Sequence, residues 1–456
     1  MLGVIGIIIS LALLMYLAYR GITVLILAPL LALLAVVFSG NTPIFASYTE
    51  VFMANFAAYA KTYLPIFMLG AIFGKVMDDT GAAKSIALTI ANKVGKDKAI
   101  LAVVLSCAVL TYGGVSLFVV TFAVYPIAVE LFRAANVPKR FMPGAIALGA
   151  FTFTMTALPG SPQIQNAIPM AFFHTTAWAA PILGIVATIV MFGLGMMWLG
   201  RRSKKAMEAG EGYGDHHDGN IEVMDESQLP KFTVSIIPII AVLALNLFLG
   251  IYFGSQKAEY LANYNTSISS VKGIWSLILA LVLSIIIAVL LMRKNLKNTL
   301  KTLNTGAISS LLPISNTSAE VGYGNVIKTL GAFSLLKSAI LAIPGTPLIS
   351  LAVATSVLAG ITGSASGGMS IALGALGDVY LQKAVALGIN PEAFHRIASI
   401  ACGGLDTLPH NGAVITLLGI TGLTHRQSYA DIGMCTVVIP TLAVIICIIL
   451  ASFGVV

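Results

Sequence analysis

Four apolar runs in this chain are cut by glycine, proline and hydrogen-bonding residues, and the cuts come in pairs about 250 residues apart. Thr111-Tyr112-Gly113-Gly114 is followed by Leu158-Pro159-Gly160-Ser161, and the pattern returns as Thr362-Gly363-Ser364-Ala365 and Leu408-Pro409-His410-Asn411. Pro65, Pro138 and Phe141 align in the same way with Pro313, Pro391 and Phe394, at offsets between 248 and 253 residues. Interrupted apolar segments in corresponding places of two halves mark a transporter's binding site, built where internal repeats meet.

Composition sets the solvent. Hydrophobic residues make up 58% of the chain and charged residues 10%, against roughly 25% charged in a soluble domain. Such a chain cannot cover itself with a wetted surface, so it reads as an integral membrane protein. The net charge of +8 does not point to nucleic acid, because Lys and Arg stand in short clusters beside apolar runs, as the positive-inside rule requires. Cys107, Cys402, Cys435 and Cys447 lie in apolar stretches without metal-ligand spacing and read as small packing residues. The apolar run from Gly3 to Tyr19 has neither a basic leader nor a small-residue cleavage site, so it reads as a first span rather than a signal peptide.

Runs of spanning length, ~17–25 residues, fall at 3–19, 22–39, 53–74, 141–170, 176–200, 232–254, 273–292, 303–324, 394–421 and 431–453. The stretches 98–134 and 346–385 are cut near their middles and predict re-entrant hairpins. If the basic clusters at 201–205 and 293–297 are cytoplasmic, two spans separate them and 255–272 lies outside. Lys93, Lys96, Lys98, Arg133, Lys139 and Arg140 then fall inside, and Asn390-Pro391-Glu392 outside. The two hairpins therefore enter from opposite faces, and both termini lie outside. The expected organisation is an all-α polytopic membrane protein of two inverted repeats, 1–200 and 232–456, joined by a cytoplasmic linker at 201–231. Each repeat carries a re-entrant hairpin (98–134; 346–385) and an interrupted span (141–170; 394–421). The adjacent His216 and His217 of the linker can bind a metal, but a solvated pair explains them as well, and no metal or cofactor is expected.

Unpaired backbone groups cost several kcal/mol each in hydrocarbon, so non-helical backbone survives only inside protein or beside a wet cavity. The four breaks should therefore converge on one central site. The hairpin tips offer Tyr112, Gly113, Gly114 and Ser116 on one side and Thr362, Gly363, Ser364, Ser366 and Gly367 on the other. The interrupted spans offer Gly160, Ser161, Gln163, Gln165 and Asn166, then Thr407, His410 and Asn411. Helix N-termini at these points present free N–H groups and a positive dipole end, which hold a carboxylate without Arg or Lys. No Lys or Arg lies within a break, and His410 is the basic candidate there. The competing reading is that Gly and Pro merely kink packed helices.

Asp406, one turn before the second break, and Glu320 are acidic residues within expected spans. A carboxylate at membrane depth costs at least ~2.5 kcal/mol and is a functional-site hypothesis by default, so both are candidates to carry a coupling proton. Glu320 can instead cap a span that ends near Gly322-Tyr323-Gly324. His410, with an ordinary pKa near ~6.5, is the third candidate. Asp78, Asp79, Glu130 and Asp378 sit near span or hairpin ends, where capping or pairing accounts for them. His174, His395 and His425 lie near span ends and are expected to satisfy local hydrogen bonds.

Three segments resemble the gluconate permease (GntP) family: Asp78-Asp79-Thr80-Gly81-Ala82-Ala83, the run from Asn316 to Gly324, and Asp406-Thr407-Leu408-Pro409-His410-Asn411-Gly412. The resemblance covers essentially the whole chain. It implies a proton-coupled symporter of hydroxy-carboxylates in a bacterial cell (inner) membrane, within a superfamily of dimeric elevator carriers. There the hairpins and interrupted spans form a moving transport domain, and the other spans a scaffold that makes the dimer contact. Gluconate carriers have a His-Pro-Gly-Pro type element at the first break, where this chain has Leu158-Pro159-Gly160-Ser161-Pro162. In that respect it is similar to the branch associated with short hydroxy acids such as 3-hydroxybutyrate. Gluconate, citrate, Na⁺ coupling and antiport on the same architecture stay open as alternatives.

The missing cations favour one carboxylate over three, and Gln163, Gln165, Asn166 and Asn411 are candidates to bond a hydroxyl. Ala157 and Ala413 leave room for a short aliphatic body. An enzyme is disfavoured: the chain has no Gly-x-Ser-x-Gly or His-Glu-x-x-His, and Ser366 before Gly367-Gly368 lacks the Gly two positions earlier that an intramembrane serine protease needs. Hairpins opening from opposite faces favour alternating access over a channel.

Overall fold

The computed structural model describes residues 2–40, 42–216 and 226–456, so His217 and Asp218 of the linker lie outside the described residues. Every regular element among the described residues is helical. Helices α1 (Leu2–Tyr19) and α2 (Val24–Ser39) pack as a pair. The short α3 (Ile44–Ala46) runs through a π turn into α4 (Met53–Asp79), followed by α5 (Ala82–Val94) and the pair α6 (Ala99–Tyr112) and α7 (Leu117–Ala134). A broken run of α8 (Met142–Ala150), α9 (Phe153–Thr156) and α10 (Ile164–Phe173) precedes the long α11 (Pro181–Glu208).

Beyond the linker come α12 (Phe232–Gly254), α13 (Ile268–Leu291), α14 (Thr299–Ser309), α15 (Leu311–Thr329) and α16 (Phe333–Leu341). The pair α17 (Pro347–Thr362) and α18 (Ala365–Leu387), the broken run α19 (Pro391–Leu405) and α20 (Gly412–Thr421), and α21 (His425–Gly433) leading into α22 (Ile439–Ser452) complete the chain.

Six of these helical runs are long and apolar enough to cross a membrane: Ile44–Asp79, Leu117–Ala134, Pro181–Glu208, Phe232–Gly254, Ile268–Leu291 and His425–Ser452. Ten such runs are expected from hydropathy alone. Five of the six fall among those ten, and the sixth, Leu117–Ala134, is one arm of the first expected hairpin. Of the other five expected runs, 3–19 and 22–39 form shorter apolar helices, and in three the apolar sequence continues across backbone breaks: 141–170 divides into three helices, 394–421 into two, and 303–324 is cut at Ser310. Helices α5 and α16 answer to no expected segment. They are only 13 and 9 residues long and alternate polar with apolar residues, so a search for spanning runs passes over them.

The breaks are written in capping chemistry. Gly363, with φ +62°, ends α17 in the left-handed region, and the Ser364 hydroxyl accepts from Gly367 N at 3.0 Å to start α18. Asn411 starts α20 by accepting from Ala413 N and Val414 N at 2.7 and 3.0 Å. These side chains satisfy donors that would otherwise face hydrocarbon unpaired. One large apolar core runs through both halves of the chain. A smaller cluster, including Ile7, Leu14, Leu31, Tyr323 and Val326, fastens α1 and α2 to α15.

Candidate functional site

The tip of the α17–α18 pair, the break between α19 and α20, and the first half of α15 close round a chamber of about 600 Å³. Thr362, Gly363, Ser364 and Ser366 line it from the tip, and Asp406, Thr407, His410 and Asn411 from the break. Glu320 and Asn316 face it from α15, and Gln165 from α10. The turn between α1 and α2 forms another wall, held by Asn316, whose Oδ1 accepts from Thr23 Oγ1 at 3.0 Å and Leu25 N at 3.2 Å. Of the residues expected from the second hairpin and second break, Gly367 alone does not line this space. It stands directly behind it, where a Cβ would fall within the Glu320 carboxylate.

The polar atoms of this chamber are unusually short of partners. Glu320 and Asp406 are 2% and 4% exposed, and neither Glu320 Oε2 nor Asp406 Oδ1 has a hydrogen-bond partner. His410 Nε2 and Gln165 Oε1 are unpartnered as well. Buried polar groups in native proteins are nearly all paired, so four orphan atoms on side chains that line one cavity mark a place where a small turn of each side chain lets something else supply the partners. The surrounding backbone is well held. Asn411 Nδ2 donates to Gly363 O at 2.8 Å, tying the second break to the hairpin tip. Tyr429 Oη donates to Thr407 O at 3.0 Å, and a His425 ring nitrogen donates to Pro409 O at 2.8 Å.

The first hairpin and first break open onto a second chamber of about 540 Å³, lined by Gly114, Ser116, Gln163 and Gln165. The four breaks thus face two adjoining chambers rather than the single one expected. Phe67, Leu117, Phe118, Met155, Gln165 and Pro313 border both. Lys75 also reaches the second chamber, but its ammonium is paired with Asp79 at 2.7 Å and Asp78 at 3.5 Å.

Several residues expected to meet a ligand make hydrogen bonds or close contacts within the protein. Tyr112 Oη donates to Pro159 O at 2.7 Å, and Ser161 Oγ to Thr154 O at 2.9 Å. Gly113 packs under Ile239, and Gly160, at φ +80°, leaves room for the Trp178 ring while its N–H donates to Ala177 O. Asn166 is fully buried: its amide donates to Ser161 O and Ala177 O at 2.8 and 2.9 Å. Its Oδ1 accepts from Arg396 Nη1 at 2.9 Å and lies 3.0 Å from His395 Nε2.

No Lys or Arg lies within a break, but Arg396 reaches the first of them from α19. It is completely buried and also donates to Ala177 O and Ala179 O, holding the irregular segment between α10 and α11. His395 is not locally bonded either, since its Nδ1 meets Thr175 Oγ1 at 2.6 Å, 220 residues away in the chain. Further along α19, Ser399 Oγ donates to Thr156 O at 2.7 Å. One face of the second interrupted span therefore holds the broken backbone of the first. The signal for Arg396 was present in the sequence: an ionisable residue inside an apolar run asks for a partner at membrane depth.

His174 ends α10 in a left-handed conformation at φ +53°. All four cysteines are buried and free. Among the described residues no group of three or more His, Cys, Asp or Glu side chains is placed to hold a metal ion.

Residues 2–453 match the family described as GntP family permease. An uncharacterized transporter of Bacillus subtilis (strain 168), YxjC, is 47% identical over 449 residues, covering 95% of each chain. Two solved structures share the fold at low identity. The Alcanivorax borkumensis YdaH transporter has a TM-score of 0.53 at 16% identity and covers 89% of this chain and 88% of its own. Neisseria gonorrhoeae MtrF, described as illuminating a class of antimetabolite efflux pumps, has a TM-score of 0.54 at 11% identity, with 90% and 84% covered. With the family matched from end to end, an all-helical multi-spanning architecture and a polar chamber at its broken helices, the chain belongs to the GntP permease family and is a membrane transporter, not an enzyme.

Proposed function

We propose that this transporter imports a small hydroxy-monocarboxylate such as 3-hydroxybutyrate together with a cation, H⁺, by an elevator-type alternating-access mechanism. The observation that carries the reading is the larger chamber, where two buried carboxyls with unpartnered oxygens, Glu320 and Asp406, stand beside the beginnings of α18 and α20. Helix N-termini favour an anion. Two carboxylates repel one, and at short range in a medium of low dielectric that repulsion is large. A proton arriving with the substrate neutralises one of the two and lessens the repulsion, so cation entry and anion entry help each other. This is symport stated as electrostatics.

In this reading residues 1–200 and 232–456 are inverted repeats and 201–231 is their cytoplasmic linker. Support comes from the element order, since the succession from α4 to α11 has its counterpart from α14 to α22. The hairpins and interrupted spans travel as one transport domain, a role that suits the buried bonds from α19 to the first break. The remaining spans form the scaffold and the contact of a homodimer in the bacterial inner membrane, with both termini outside.

The test is uptake into liposomes loaded with the purified protein, using labelled short hydroxy acids under separately imposed proton and sodium gradients. Accumulation driven by the proton gradient alone is the expected result. Accumulation under a sodium gradient alone would replace the proton in this scheme, and no accumulation of any hydroxy acid would overturn the substrate class.

A further inference from the structure

Four amide side chains stand at the two breaks, and three of them are already committed to the protein. Gln163 Nε2 donates to Thr111 O at 2.8 Å and Val115 O at 3.2 Å, which ties the first break to the first hairpin. Asn166 is saturated by two backbone carbonyls, Arg396 and His395. Asn411 caps α20 through Oδ1 and clamps Gly363 through Nδ2.

Gln165 alone is uncommitted. It is 8% exposed, and its Oε1 is buried without a partner. Among the described residues it is also the one side chain with hydrogen-bonding polar atoms in the wall that the two chambers share. Around it Phe67, Leu117, Phe118, Met155 and Pro313 offer nothing to bond. A free acceptor in such a wall lowers stability and has no protein group to recover the loss.

We infer that Gln165 reads the substrate's hydroxyl, its terminal amide turning so that Oε1 meets the ligand and accepts the proton, and that its place in the shared wall lets it do so from either chamber. This rests on the reading that a hydroxy-monocarboxylate is the substrate. The neighbouring Asn166, pinned by Arg396, holds the first turn of α10 in place and so fixes where the Gln165 amide stands. A site built round a hydroxyl donor rejects the analogue lacking it far more strongly than an apolar pocket rejects an extra methylene.

The experiment compares uptake of 3-hydroxybutyrate, butyrate and 3-fluorobutyrate in proteoliposomes, for wild type, Gln165→Met and Gln165→Asn. Fluorine accepts but does not donate, so in wild type the fluoro acid should be handled like butyrate. Both variants should lower the hydroxy-over-deoxy selectivity ratio by roughly tenfold or more through a raised KM for the hydroxy acid. A selectivity ratio does not depend on how much active protein is reconstituted. If wild type takes up the hydroxy acid but treats the fluoro acid as its equal, the inference is overturned without recourse to any variant. Variants that keep the wild-type ratio overturn it as well. If wild type carries none of the three acids, the proposed substrate class has failed and the role of Gln165 falls with it.

Discussion

Gly367 and Gly368 are neighbours in the first turns of α18, yet a methyl group added to each should have opposite consequences. At Gly367 the new Cβ meets the Glu320 carboxylate, the far end of a side chain that no hydrogen bond retains. Turning that side chain away costs ~0.5–1.5 kcal/mol in rotamer energy, and Ala returns ~1 kcal/mol of helix propensity over Gly. The net effect on stability is near zero. At Gly368 the Cβ meets the backbone N and Cα of Ala359 on α17. Backbone cannot turn aside, so the two arms of the hairpin must separate. Contacts this close with backbone put the cost at the upper end of the ~1–3 kcal/mol of overpacking, which leaves a net loss of about 2 kcal/mol after the same ~1 kcal/mol propensity gain. Thermal melts of the two purified variants should therefore differ, with Gly368→Ala lowered and Gly367→Ala close to wild type. Uptake should reverse part of that order. Gly367→Ala displaces the Glu320 carboxyl and should lose gradient-driven accumulation despite its intact fold. If Gly367→Ala melts as early as Gly368→Ala, Glu320 is fixed in place and the steric argument is wrong. If it accumulates substrate like wild type, the placing of Glu320 beside the hairpin does not matter to coupling.

Asn166→Ala strips a buried guanidinium of one acceptor and two carbonyls of a donor, and should cost about 3 kcal/mol; a wild-type melting temperature with uptake abolished would instead return Asn166 to the substrate site. Asn411→Ala removes a helix cap and the clamp on Gly363, so a stability loss of about 1–2 kcal/mol is expected, together with weaker uptake, measured by melting and initial rates. Asp406→Asn imitates a permanently protonated carboxyl, and should lose accumulation under a proton gradient while still exchanging labelled for unlabelled substrate. Applied in parallel to Glu320→Gln and His410→Gln, the exchange assay identifies the coupling residue, and three variants that all still concentrate substrate would remove these side chains from the relay.

Much of this protein is legible from its sequence because the membrane leaves few options. Hydrocarbon penalises charge and unpaired backbone so heavily that composition alone dictates a helical, multi-spanning chain. The Gly, Pro and Ser cuts had to be places where the backbone finds partners other than the lipid. The caps at Ser364 and Asn411 are likewise local, set by residues two or three positions away. What the linear pattern could not decide is which polar groups are left over once the chain folds. Asn166 and Gln165 are adjacent and equally polar, yet one is consumed by Arg396 and His395 from about 230 positions away while the other keeps a free oxygen. Asn411 lines the chamber while its amide is spent on a cap and a clamp; Glu320, which could have capped a span, lines the same chamber. Hydrogen bonds between distant segments depend on the register of helices packed against each other, and no spacing along the chain encodes that register. The sequence by itself determined the four paired breaks, and the tertiary structure decided which of the polar groups beside them are tied up in the protein and which keep unpartnered atoms beside a chamber.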